Sequence, residues 1–121
     1  MIVQEFGFDD DTDDELRSAI EGVIGAELEF EDYTGETDAV LLWWRGDDGD
    51  LADELVDMVS AVADGGFILL LTPRPGRGVE VEPAEIQEAA ATAGLHSSGA
   101  QNASDDWRAV RLVVPKAAGR R

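Results

Sequence analysis

Between residues 38 and 73, the segment DAVLLWWRGDDGDLADELVDMVSAVADGGFILLLTP passes from one unbroken apolar stretch to another. The residues between them are apolar at every third or fourth position. Unbroken apolar runs of this length suit strands covered on both faces, whereas the three-to-four spacing suits a helix with one buried face. Strand, helix and strand in about thirty residues make one βαβ unit, in which parallel strands need a crossover helix. Asp38 is placed to open the first strand and Asp50 to cap the helix, with Asp53 in its first turn. Leu51, Leu55, Met58, Val59 and Val62 share the helix's apolar face, and Gly65-Gly66 closes the crossover.

The flanking segments read in the same way. Ile2 to Phe8 forms a short first strand, and Asp9-Asp10-Asp11 forms a turn. Thr12-Asp13-Asp14-Glu15 has the form of a capping box, with Thr12 as the cap. Leu16, Ile20, Val23 and Ile24 then define one helical face, and Gly25 ends the helix. In residues 26–37, Leu28 and Phe30 alternate with Glu27, Glu29 and Glu31, which predicts an edge strand with one wet, acidic face. After Thr72, Pro73-Arg74-Pro75-Gly76-Arg77-Gly78 is a loop. Pro83 starts a helix whose inner face is Ile86, Ala89, Ala90 and Ala93, and Gly94 ends it. Leu95–Gln101 and Trp107–Val114 are the strands of a closing antiparallel hairpin. The expected fold is therefore α/β: a small, mainly parallel sheet with helices on its faces and an antiparallel hairpin at the C-terminal end. Residues 1–116 form one domain, followed by a frayed basic tail over 117–121.

Charge narrows the range of partners. Residues 1–73 hold 21 acidic and 2 basic side chains, while residues 74–121 hold 6 and 7, which together give the net −18. That distribution opposes phosphate contacts, so nucleic-acid binding is not expected. It suits a basic protein surface, although acidity can equally serve solubility alone. A third possibility is a mimic of DNA, which would need its carboxylates ordered in a phosphate-like stripe. Cysteine is absent, which removes disulfides, thiolate metal sites and cysteine nucleophiles. No apolar run is long enough for a membrane span, and the N-terminal residues lack the pattern of a signal peptide, so a cytoplasmic location is expected.

The order strand, crossover helix, strand, loop, helix and hairpin over Asp38 to Val114 resembles the second half of class I methyltransferase domains. Those enzymes hold their cofactor at a glycine-rich turn after the first strand. The corresponding turn here is Gly7-Phe8-Asp9-Asp10-Asp11, which has one glycine and three carboxylates, so no cofactor is expected and a non-catalytic interaction or regulatory role is favoured over the alternative, a small-molecule or cofactor-binding transferase. Across nearly its whole length the chain also resembles an actinobacterial domain-of-unknown-function family, DUF3052. The matching segments are VLLWWR (40–45), DGDL (48–51), LLTPRPGRG (70–78), VEP (81–83), TAGL (92–95) and DWRAVRLVVPK (106–116). This resemblance implies a small, acidic, cytoplasmic protein and names no reaction.

The candidate binding surface is Trp44, Arg45, Asp47, Asp48, Arg74 and Arg77, since ligands of open α/β sheets sit beyond the carboxyl ends of the strands. Trp43 and Trp44 must point to opposite faces, and a core role for them competes with a binding role. Asp47, Asp48 and Asp50 could offer oxygens to a hard cation, but the calcium-loop pattern is incomplete and no metal is expected. Arg74 and Arg77 could hold an anion, although pairing with Asp47 and Asp48 across the sheet end is favoured. Asp9, Asp10 and Asp11, with Glu27, Glu29 and Glu31, are the candidate acidic patches for a basic partner. His96 stands alone beside Ser97 and Ser98, outside any nucleophile-elbow context, and no catalytic residue is assigned.

Overall fold

The computed structural model describes residues 1–76 and 78–115. The elements follow the expected order: β1 (Val3–Phe6), α1 (Asp14–Ile24), β2 (Thr37–Trp43), α2 (Leu51–Val59), β3 (Val62–Pro73), α3 (Pro83–Thr92), β4 (His96–Asn102) and β5 (Trp107–Val113). They build one five-stranded sheet in the order β1-β2-β3-β5-β4. β1, β2 and β3 are parallel, and β5 runs antiparallel to both β3 and β4.

Alternation along the strands divides the core in two. Val40, Leu42, Ile68, Leu70 and Leu112 face α2 and α3, which supply Leu51, Leu55, Ile86 and Ala90. Ala39, Leu41, Trp43, Leu71 and Trp107 lie on the opposite face, against which Leu16, Ile20 and Ile24 of α1 are only partly buried. Asp50 caps α2 by accepting from the Asp53 amide, and Pro83 occupies the first turn of α3, both as expected.

Several local expectations are corrected. α1 is capped by Asp13, which accepts from the Leu16 amide, while the Thr12 hydroxyl donates to the Asp9 carbonyl. Adjacent oxygen-bearing residues compete for one cap, and the one that takes the extended conformation wins. Val23 is 88% exposed and therefore not on the buried face. Residues 26–36 do not form a strand, and Thr37 already belongs to β2. Only Glu29 pairs with Gln4, through Glu5 N–H to Glu29 C=O and Glu29 N–H to Val3 C=O, both at 2.9 Å. Leu28 is buried there as expected, but Phe30 is 68% exposed. The buried Gln4 side chain supplies the missing order, its amide nitrogen reaching the carbonyls of Phe30, Glu31 and Tyr33 at 3.0–3.2 Å. Without a continuous ladder, Glu27, Glu29 and Glu31 do not form one strand face.

The helix α2 stops at Val59, so Val62 belongs to β3. Gly65-Gly66 also lies inside β3, beside the register shift between Thr37 and Ala39. A Cβ on Gly66 would stand 2.3 Å from the Asp38 carbonyl, so this irregularity is tied to glycine. From β1 the chain runs through α1 to the Glu29 bridge at the outer edge, then returns to β2 on the inner side. The order in which the chain adds strands therefore reverses between β1 and β2, the point at which open α/β sheets form a crevice at the strands' carboxyl ends.

Candidate functional site

The first-strand turn is drawn down onto that crevice by the chain's own side chains. Arg45, 8% exposed, follows β2. Its guanidinium donates through Nε to Asp11 Oδ2 at 3.0 Å and through Nη2 to Asp11 Oδ1. Nη1 donates to the carbonyls of Gly7 at 2.8 Å and Trp43 at 3.2 Å. The Asp48 carboxylate accepts from the Arg45 amide at 2.9 Å. Hydrogen bonding to Arg45 holds the Asp11 carboxyl below its ordinary range, and the same fork raises the arginine. Gly7 takes a left-handed φ of 81°, and a Cβ there would stand 2.3 Å from the Trp43 carbonyl. Its freedom serves this close approach of two backbones.

A second cluster lies under the first. Glu5, 2% exposed in the middle of β1, receives a fork from Arg17, Nε to Oε2 at 2.6 Å and Nη2 to Oε1 at 2.8 Å. Trp43 Nε1 donates to the same Glu5 Oε2 at 2.8 Å. The Trp43 and Trp107 rings meet edge to face at 4.8 Å, and Trp107 Nε1 donates to the Asp11 carbonyl at 3.2 Å. Arg17 also lies 4.5 Å from the Phe8 ring centroid. Both arginines of the first 73 residues are thus committed internally. Glu5, Arg17 and Trp107 were not among the sequence candidates. The available signal was an acidic residue inside a strand and a lone arginine in an acidic helix.

The candidate surface does not converge on one point. Trp44 is 6% exposed and belongs to the core beneath α2. Asp47 is exposed at the loop, and Asp48 is engaged with Arg45. Arg74 turns toward the β4–β5 connection, its amide donating to the Asp106 carbonyl at 2.9 Å and Nη1 lying 3.4 Å from the carbonyls of Ser104 and Asp105. The expected pairing of Arg74 with Asp47 and Asp48 is corrected accordingly, because Asp48 is held by Arg45 and Arg74 by the β4–β5 connection. Arg77 lies outside the described residues, as does the tail. Asp9 and Asp10 are exposed, whereas Asp11 holds Arg45. Glu27 is exposed, Glu29 is half-buried, and the Glu31 carboxylate accepts from the Gly7 amide at 3.0 Å. His96 is exposed on β4.

A cavity of about 290 Å³ remains at this crevice, lined by Gly7, Trp43 and Arg45 together with Phe8, Asp48 and Glu54 among others. Burial raises the Glu54 carboxyl, and Asp57, Glu31 and Asp48 add to the shift. Among the described residues, no three His, Cys, Asp or Glu side chains are grouped to hold a metal, and no helix is long and apolar enough to cross a membrane.

The sequence pattern of a family described as a protein of unknown function (DUF3052) matches residues 1–116. The chain belongs to this family. A relative named as an uncharacterized protein in Mycobacterium tuberculosis is 50% identical over 122 residues, covering 100% of this chain and 77% of its own length. Among solved structures, human N-acetylserotonin methyltransferase in complex with SAM superposes with a TM-score of 0.59 at 17% identity, over 74% of this chain and 34% of that one. A methyltransferase from Pyrococcus furiosus gives 0.56 at 10% identity, over 94% and 75%. The family fold therefore resembles the second half of class I methyltransferase domains, a likeness of architecture and not of site.

Proposed function

We propose that this DUF3052 protein is a non-catalytic, cytoplasmic interaction or regulatory protein that binds a basic protein surface from a degenerate methyltransferase-like scaffold. The observation that carries this reading is the Arg45 fork. It ties the first-strand turn to the carboxyl end of β2, where the related fold would admit a cofactor. The one glycine of that turn is used against the Trp43 carbonyl, which leaves no glycine to bring backbone amides to a ligand. The net −18 then supplies long-range attraction for a basic partner. Asp9, Asp10, Asp47 and Glu27 are exposed and suited to steering it.

A small-molecule or cofactor-binding transferase is the second reading, favoured by the cavity beside Phe8 and Glu54. Thermal denaturation with S-adenosylmethionine and S-adenosylhomocysteine separates the two. A ligand at 100 times its dissociation constant stabilises by about 2.7 kcal/mol, so a transferase would show a clear rise in Tm and the proposed protein none. Affinity capture at low and high salt is the companion measurement. Salt-sensitive retention of basic proteins supports the reading, and salt-insensitive capture or none overturns it.

A further inference from the structure

β2 and β3 are apolar on both faces, as parallel strands are when helices cover both sides. Two helices, α2 and α3, cover one face. Among the described residues the other has only α1, which contains no fully buried residue, and Phe67 and Leu69 of β3 remain half-buried beside it. Between α1 and the strands runs an open groove of about 380 Å³, walled entirely by apolar residues including Met1, Val3, Ile20, Val23, Phe67 and Leu69. Val23 stands at its lip, 88% exposed. Along the same side of α1, Ser18, Ala19 and Gly22 are small and exposed, and a Cβ on Gly22 would meet nothing within 4 Å. Small side chains let a neighbouring helix approach closely.

We propose that this groove receives an amphipathic helix of a basic partner protein, seated beside α1 as the second helix of that layer. This rests on the acidic-partner reading above and adds where the partner docks and with what element. The occupant follows from charge. α1 carries Asp14, Glu15 and Glu21 against Arg17 alone, and Arg17 is already held by Glu5. Glu15 lies one turn before Ala19 on the exposed stripe, and exposed Glu27 follows Val23 by four residues. A second copy of this chain would bring the same excess of negative charge to the groove, whereas a basic helix relieves it. Arg111, 4.5 Å from the Phe67 ring centroid, marks the far wall. The partner's cations therefore belong on the α1 side, its apolar stripe entering the groove at helical spacing.

The test uses the whole chain and a labelled Leu/Lys peptide of about 18 residues with one apolar helical face. A scrambled peptide of the same composition, without such a face, is the comparison. Expected are amide shift changes along α1 and β3, and binding at least about tenfold tighter than to the scrambled peptide. Gly22→Leu and Val23→Glu should each weaken the complex by about tenfold or more, while Gly22→Leu raises the Tm of the free protein because glycine is a poor helix former. Equal binding of both peptides, with shifts confined to residues 9–11 or 47–50, overturns the groove and leaves the acidic-partner reading standing. Failure of both peptides to bind at low salt overturns the two together. A dimer of the free protein that Val23→Glu dissolves would make a second copy the occupant and also overturn the proposal.

Discussion

Arg45 and Asp11, 34 residues apart, meet in a two-bond fork that fastens the turn after β1 to the end of β2. The two partners are unequal. The Arg45 side chain is 10% exposed and the Asp11 side chain 54%, and Arg45 also satisfies the carbonyls of Gly7 and Trp43. Removing the arginine strands acceptors in a dry place, whereas removing the carboxylate leaves a cation with other partners. Arg45→Met is therefore expected to cost about 2–3 kcal/mol and Asp11→Asn about 1 kcal/mol in urea denaturation. Equal losses would show that the fork, and not the carbonyl contacts, holds the turn.

The two neighbouring tryptophans make a sharper contrast. Both are buried, so Trp43→Ala and Trp44→Ala should each cost about 3–5 kcal/mol. Replacement by phenylalanine should separate them. Trp43 Nε1 donates to the buried Glu5 carboxylate, and losing a bond to a charged group costs about 1.5–3 kcal/mol. Trp44 Nε1 is buried with no hydrogen-bond partner among the described residues, so Trp44→Phe should cost under about 1.5 kcal/mol. Chemical denaturation of both variants measures the difference directly. Equal losses would place an acceptor near Trp44 Nε1.

These residues also show how much could be read from the chain. The βαβ unit, the Asp50 cap, the Pro83 start and the final hairpin were legible because each depends on local spacing or on one residue's backbone preference. Opposed burial of Trp43 and Trp44 followed from strand alternation. The ion pairs that fasten β1 and its turn to α1 and to the end of β2 were not legible. Glu5–Arg17 and Asp11–Arg45 join residues distant in sequence, and among 27 acidic side chains nothing local selects those two. The segment 26–37 failed for a related reason: its alternation is real, but the order comes from Gln4 reaching across from β1.

Glu54 predicts a pH effect of definite sign. Burial raises its folded-state carboxyl above the ordinary value, with Asp57, Glu31 and Asp48 reinforcing the shift. The folded protein thus binds this proton more tightly than the unfolded chain. The favourable contribution is complete below the unfolded pKa and is lost as pH rises through the folded one. At neutral pH the ionised Glu54 is a liability, so Glu54→Gln should stabilise by up to about 0.5 kcal/mol. The gain should vanish in acid, where both forms are neutral. Paired melting curves from pH 3 to 8 check this, and a gain that grows toward acid would reverse the sign.

Two glycines give opposite predictions for the same substitution. Gly7 combines a left-handed φ of 81° with a Cβ position 2.3 Å from the Trp43 carbonyl, a rigid backbone atom. Neither the chain after β1 nor the end of β2 can move away without opening the Arg45 contacts to Gly7 and Trp43. Gly7→Ala is therefore expected to cost more than about 2 kcal/mol, through strain and lost hydrogen bonds together. Gly22 lies within α1 with open space around its missing Cβ, so Gly22→Ala should stabilise by about 0.5–1 kcal/mol. Denaturation of the two variants under one set of conditions tests both. A tolerated alanine at position 7 would mean that the crevice opens readily, and the transferase reading would then gain ground over the interaction protein.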